Sequence, residues 1–235
     1  MERFIPSRRS PRAKIRHLLA GALAVSVGAV GLPLAAAQAA PITELVLSEI
    51  MYNPTGPDSG NEWIELFNGT GTSIDLSSYS LGYGGGDYSF GTVQLSGSVA
   101  SGDYFVIGSG PGYDLDHTFA PTLQNPILFP DGVALFDTLA SSITPTSVPI
   151  DAVIYDAWGI FGNVNNLLDS TGNPGAVDVV GAPGGESISL GDTGWVADAT
   201  PSPGGGTLLT PEPSTGLLLL FGLVFLAQSR GSRRR

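Results

Sequence analysis

Cysteine is absent from this chain, so neither disulfides nor thiol chemistry enter its design. Lysine and arginine are absent from most of it: between His17 and Ser229 there is not one. The ten basic residues all lie near the ends. Arg3, Arg8, Arg9, Arg12, Lys14 and Arg16 lie at the front, and Arg230, Arg233, Arg234 and Arg235 at the back. Of the 21 acids, only Glu2 lies outside 41–229, and the formal net charge is −11. These absences exclude whole classes of function. Lys and Arg supply the phosphate neutralisation that drives nucleic-acid binding, so no nucleic-acid partner is expected. The usual clamps for phosphorylated substrates are missing as well. The interior acids have no Lys or Arg to pair with. They must be solvated, hydrogen-bonded to backbone, or bound to cations.

Helical periodicity is also scarce. Gly, Pro, Ser and Thr punctuate short apolar runs at 45–51, 62–68, 80–83, 88–95, 103–108, 132–137, 150–155, 186–190 and 194–197. Runs of this length, bounded by turn formers and rich in β-branched and aromatic residues, predict strands. Many such strands predict an all-β antiparallel sandwich or barrel. In EWIELFN, Trp63, Glu65 and Phe67 share one strand face while Ile64 and Leu66 share the other. With both faces largely apolar, 62–68 fits a central strand. Two stretches predict long loops, 109–131 with four prolines and 156–185 with a faint helical hint at 163–169. The Pro/Gly-rich run 200–213 has linker composition.

The front of the chain has the plan of a secretory signal. Arg8, Arg9, Arg12, Lys14 and Arg16 precede an apolar stretch at 18–34, and Ala37-Gln38-Ala39 supplies a small-x-small site for signal peptidase, with cleavage expected after Ala39. The alternative is an uncleaved anchor, which has no need of the small-residue end.

The back of the chain repeats the theme. Pro211-Glu212-Pro213 is followed by an apolar run at 216–227 and then by Arg230, Arg233, Arg234 and Arg235. A spanning helix needs about 20 apolar residues, so this one is short. The arginines would hold the end on the cytoplasmic side. A Pro-rich spacer, a short span and a basic stop form the layout of a removable anchor. The alternative is a membrane tail that is never cut.

Two resemblances follow from these residues. The phrases LVLSEIMYNPTG, GNEWIELFNGTGTSIDLSSYSL, ASGDYFVIG, GVALFD, IDAVIYD and ESISLGDTGWVADATPSPGG, in this order, resemble the lamin tail domain of secreted bacterial proteins. That resemblance implies an immunoglobulin-like antiparallel β-sandwich and brings no catalytic residues with it. The tail resembles the PEP-CTERM sorting signal, carried by Pro211, Glu212, Pro213, Arg230, Arg233, Arg234 and Arg235. It implies an exosortase-type membrane protease as a partner during export, in Gram-negative bacteria that make exopolysaccharide. The expected organisation is a signal helix at 1–39, a sandwich domain at 40–205, a linker at 206–214 and a membrane-helix tail at 215–235. The expected path is export, a tethered stage at the inner membrane, then the cell surface or extracellular space.

Candidates for chemistry are few. His17 lies in the signal, leaving His117 as the only histidine of the interior, so a site of several histidines is excluded. His117 lies close in sequence to Asp114 and Asp116, but no G-x-S-x-G elbow accompanies it. Glu62 and Glu65 are three apart and face opposite sides of a strand, a poor acid–base pair. Calcium is the one cofactor to consider, with Asp58, Glu62, Asp114 and Asp116 as oxygen donors, although no EF-hand pattern is present. Asn68-Gly69-Thr70 matches a glycosylation sequon but also reads as a tight turn. The leading expectation is a non-enzymatic structural or interaction module of the cell envelope or exopolysaccharide matrix, with matrix polysaccharide as a partner. The alternatives are a secreted hydrolase using loops 109–131 and 156–185, and a glycan-binding module.

Overall fold

The computed structural model describes residues 41–206 and Leu208, apart from 59, 111–112, 124, 126–128, 157–161 and 199. The signal at 1–39, its cleavage residues Ala37 and Ala39, the apolar tail and the sorting residues lie outside the described residues. Among those described, no helix is long and apolar enough to cross a membrane.

The strands are β1 (Leu45–Met51), β2 (Trp63–Asn68), β3 (Ile74–Asp75), β4 (Ser80–Gly84), β5 (Gly91–Gln94), β6 (Ser98–Val99) and β7 (Tyr104–Gly108). After them come β8 (His117–Thr118), β9 (Asp131–Phe136), β10 (Asp151–Asp156), β11 (Val179–Val180), β12 (Ser187–Gly191) and β13 (Gly194–Asp198). They form a six-stranded sheet in the order β13-β12-β1-β2-β7-β8, a five-stranded sheet in the order β11-β10-β9-β4-β5, and a small β3-β6 pair. The pairing is not wholly antiparallel as expected: β8 joins β7, and β11 joins β10, in parallel. Both are two-residue edge strands reached through the long loops, which allow a return in either direction.

The sandwich core follows from alternation along the strands. Leu47, Ile50, Ile64, Leu66 and Ile107 of the first sheet cluster with Leu81, Val133, Leu135, Val153 and Tyr155 of the second. A fully buried aliphatic side chain of this kind stabilises by about 1.5–3 kcal/mol. The rings of Tyr52 and Tyr155 stack at 4.5 Å, and the Tyr52 hydroxyl donates to the Ala182 carbonyl at 3.1 Å. Asp151 ties the sheets together by accepting the Leu47 N–H at 2.7 Å.

The outer faces are covered too. On the first sheet, Met51, Trp63 and Val106 lie beneath Tyr113 and Leu115. On the second, Ala134, Phe136 and Ile154 lie beneath Tyr88, Ile143 and Leu167. That explains why β2 is apolar on both faces, and β2 is central as its sequence predicts. The helical hint at 163–169 is instead a turn. The Asn163 side chain donates to the carbonyls of Leu167 and Gly175, at 2.8 and 2.9 Å, and accepts from Leu167 N. The Asn68 sequon is likewise structural. Asn68 is fully buried, donates to the Thr72 and Val99 carbonyls, and accepts from Thr70, so its amide is committed to a turn.

Candidate functional site

Polar groups gather where the chain leaves the sandwich. A β-bulge between Leu47 and Glu49 inserts Ser48, after which Glu49 stands directly opposite Glu65. Both glutamates point to the outer face of the first sheet, at most 2 % exposed. Two carboxylates side by side without a cationic side chain need other partners, and hydroxyls and backbone N–H groups supply them. Ser48 donates to Glu65 Oε1 at 2.7 Å and Ser187 to Glu49 Oε1 at 2.5 Å.

The remaining donors come from 202–208. Ser202-Pro203-Gly204-Gly205 forms a turn closed by Gly205 N–H donating to the Ser202 carbonyl at 2.9 Å. Pro at the second position and Gly204 at φ +79° fit a type II turn, whose third residue needs a positive φ. The turn aims its donors at the acids. Ser202 N–H donates to Glu49 Oε1 at 3.1 Å, Ser202 Oγ to Glu49 Oε2 at 2.9 Å, and Gly204 N–H to Glu65 Oε2 at 2.7 Å. Further on, Leu208 N–H donates to the Tyr104 hydroxyl at 3.2 Å. Gly206 passes so close to that hydroxyl that a Cβ there would collide with it. Residues 202–206 and Leu208 are thus a strap clasped to the sheet, bordering a polar cleft of about 110 Å³ lined by Glu49, Glu65, Tyr104, Asp198 and Ser202.

Burial makes the clasp proton-sensitive. It pushes Glu65 up to about 7, against the lowering effect of Ser48 and Gly204, with the charges of Glu49 and Asp116 adding to the rise. Glu49 is raised by burial as well, opposed by Ser187 and Ser202 and assisted by Asp198. Asp131 and Asp151 are each pushed up by burial to about 6. A raised folded-state value means that the folded form holds its proton more tightly than the unfolded one. The resulting stability is complete below the ordinary carboxylate range and is lost as pH rises through the folded value. In metal-free buffer the thermal midpoint is therefore expected to be higher at pH 5 than at pH 7.5, by roughly 5 °C. Glu65→Gln is expected to flatten part of that slope. A midpoint that falls on acidification over this range would contradict it.

Of the other candidates, Asp116 lies near Glu65 of the clasp, and the rest lie apart from it and mostly apart from one another. His117 Nδ1 faces Ser96 Oγ at 3.3 Å, while Asp116 accepts the Val106 N–H at 2.8 Å. The structure therefore assembles no His–Asp pair from these neighbours. Asp114 is exposed. Glu62 and Glu65 face opposite sides of their sheet, as the spacing predicts. Glu62 lies at the end of the core, only 1 % exposed, with Oε2 accepting the Leu123 N–H at 3.1 Å. Burial pushes it up to about 7, Leu123 opposing and Asp58 assisting. Of the four calcium candidates, Asp58 and Glu62 are neighbours, whereas Asp116 lies on the other face of the sheet beside Glu65. Among the described residues, no three His, Cys, Asp or Glu side chains converge as a metal cluster.

Two covered sheets, an outward bulge and a C-terminal strap define a sandwich module. The family model for the Lamin Tail Domain matches residues 38–184, and the chain belongs to that family of non-catalytic immunoglobulin-like domains. A second family model, the PEP-CTERM protein-sorting motif, matches 209–235. The strap thus ends where the sorting motif begins. The motif marks a protein exported through the membrane, processed by exosortase, and sorted to the cell surface or extracellular space. No curated protein and no solved structure matches the chain.

Proposed function

We propose that the chain is a non-enzymatic structural or interaction module, delivered by exosortase to the cell surface or the exopolysaccharide matrix. The observation that supports this most is the charge: from His17 to Ser229 the chain carries acids without a single Lys or Arg. Such a surface repels polyanions until divalent cations bridge the two, so matrix polysaccharide is the proposed partner and the bridging ion the control. The deployment of the hydrogen-bonded acids is consistent with this reading. Glu49 and Glu65 hold the strap, Asp151 joins the sheets and Asp116 fastens a loop, which are architectural tasks.

The test is sedimentation of the purified protein with isolated matrix polysaccharide. Binding is expected in millimolar calcium or magnesium and is expected to vanish in chelator or at high salt. Absence of binding under every condition would remove the matrix reading. A hydrolytic activity lost in His117→Ala would replace the non-enzymatic reading with an enzymatic one.

A further inference from the structure

Among the described residues, three buried side-chain oxygens have no hydrogen-bond partner: Glu62 Oε1, Ser109 Oγ and Asn125 Oδ1. They do not lie on unrelated parts of the fold. Trp63 pairs with Gly108, so Glu62 and Ser109 are the next opposed positions at the end of the β2–β7 ladder. Their side chains share the face that carries Ile64 and Ile107, and Ser109 N–H reaches the Glu62 carbonyl at 3.5 Å. Glu62 Oε2 accepts from Leu123 N–H, two residues before Asn125. Asn125 Nδ2 in turn donates to Asp58 Oδ2 at 2.9 Å, which fixes its amide orientation and leaves its Oδ1 unpartnered. Asp58 closes the turn that precedes Glu62, its carbonyl accepting Asn61 N–H at 3.1 Å. Gly110 abuts the Gly60 carbonyl so closely that a Cβ would collide there. Asp58, residues 60–62, residues 109–110, Leu123 and Asn125 are thus stitched together at one end of the core.

Buried oxygens left without donors are costly, and a buried carboxylate is the costliest of them. All three orphans are oxygens able to accept or to ligate a cation, only the Ser109 hydroxyl among them carries a proton to donate, and the chain around them contains no Lys or Arg that could serve them. A hard cation satisfies oxygens of this kind all at once. Carboxylate, amide and hydroxyl oxygens on irregular loops suit the flexible coordination of calcium better than the strict octahedron of magnesium. We propose that Glu62, Asp58, Asn125 and Ser109 form a calcium site that holds Ser109 and Asn125 against Asp58 and Glu62. Two carboxylates make it a weak site, in the roughly 0.1–1 mM range of extracellular modules. That range suits an exported protein. The site lies within the domain and does not depend on the matrix reading.

The test uses the whole chain, purified in detergent and stripped with chelator. Calcium at 100 times its dissociation constant is expected to raise the thermal midpoint by roughly 5 °C. Terbium is expected to luminesce on binding and to be displaced by calcium. Glu62→Gln is expected to abolish both responses. Asp58→Asn, in an exposed turn where the fold is safe, is expected to weaken calcium binding about tenfold. Asp114→Asn, remote from the site, is expected to respond like the parent. No midpoint shift and no terbium signal in the parent would overturn the proposal. An undiminished response in Glu62→Gln or Asp58→Asn, or a response lost in Asp114→Asn, would overturn it as well. The matrix sedimentation is a separate readout, so either idea can fail alone.

Discussion

A chain ended after Thr200 is expected to unfold roughly 10 °C below one ended after Leu208, whereas ending after Leu208 is expected to leave the midpoint of the sandwich unchanged. The difference is the strap. Without it, Glu49 loses the N–H and hydroxyl of Ser202, and Glu65 loses the N–H of Gly204. Each buried acceptor left unpaired costs about 1–3 kcal/mol, and more when it is charged. Tyr104 loses the Leu208 N–H, and the strap's cover over this part of the sheet is lost. For a domain of this size each kcal/mol moves the midpoint by about 2–4 °C. Part of the loss is recoverable by acid, because protonated glutamates need fewer donors. The midpoint gap between the two chains is therefore expected to narrow from pH 7.5 to pH 5. Equal midpoints at pH 7.5 would show that the clasp contributes nothing to the fold.

Replacing Pro211, Glu212 and Pro213 together by alanine is expected to remove nearly all of the protein from the cell surface and to trap it uncut in the membrane fraction. The PEP-CTERM match at 209–235 includes this triplet. The triplet begins three residues along the chain from Leu208, which is hydrogen-bonded to Tyr104. A protease that works at the membrane then meets a folded body on one side and an apolar run on the other. Neutralising Arg230, Arg233, Arg234 and Arg235 is expected to have a different outcome. Loss of the basic stop weakens retention, so chains pass through uncut and reach the medium. Fractionation followed by immunoblotting separates these results. Undiminished surface display of the triple-alanine chain would break the assignment of the sorting residues.

The segments that formed long strands were legible because their pattern is local. Alternation in EWIELFN places Ile64 and Leu66 in the sandwich core and Trp63, Glu65 and Phe67 on the outer face. The same logic locates the runs that became β1, β4, β7, β9, β10, β12 and β13. It overextends the run at 88–95, because Tyr88 packs across the outer face of the second sheet rather than within a strand. It misses β3, β6, β8 and β11, two-residue strands defined by their partners rather than by their own composition.

The clasp was hidden for a different reason. Ser202-Pro203-Gly204-Gly205 has the composition of a linker, and only the fold reveals that its N–H groups meet Glu49 and Glu65, more than a hundred residues earlier in the chain. One signal was available. A chain without interior Lys or Arg must serve its buried acids with backbone and hydroxyl donors, and a type II turn preceded by serine is a compact source of both. Glu62 shows the converse. Its sequence marks it as an acid on a strand, but its unpartnered oxygen emerges only in the fold, where Ser109 stands opposite it at the end of the β2–β7 ladder.

We propose that a strapped sandwich is exported between two removable address segments. Intact-mass spectrometry of the native protein from the cell surface tests it most directly. The expected species begins at Ala40, retains the strap through Leu208, and has lost the apolar run and the terminal arginines. A native surface species whose mass runs unbroken to Arg235 would contradict it.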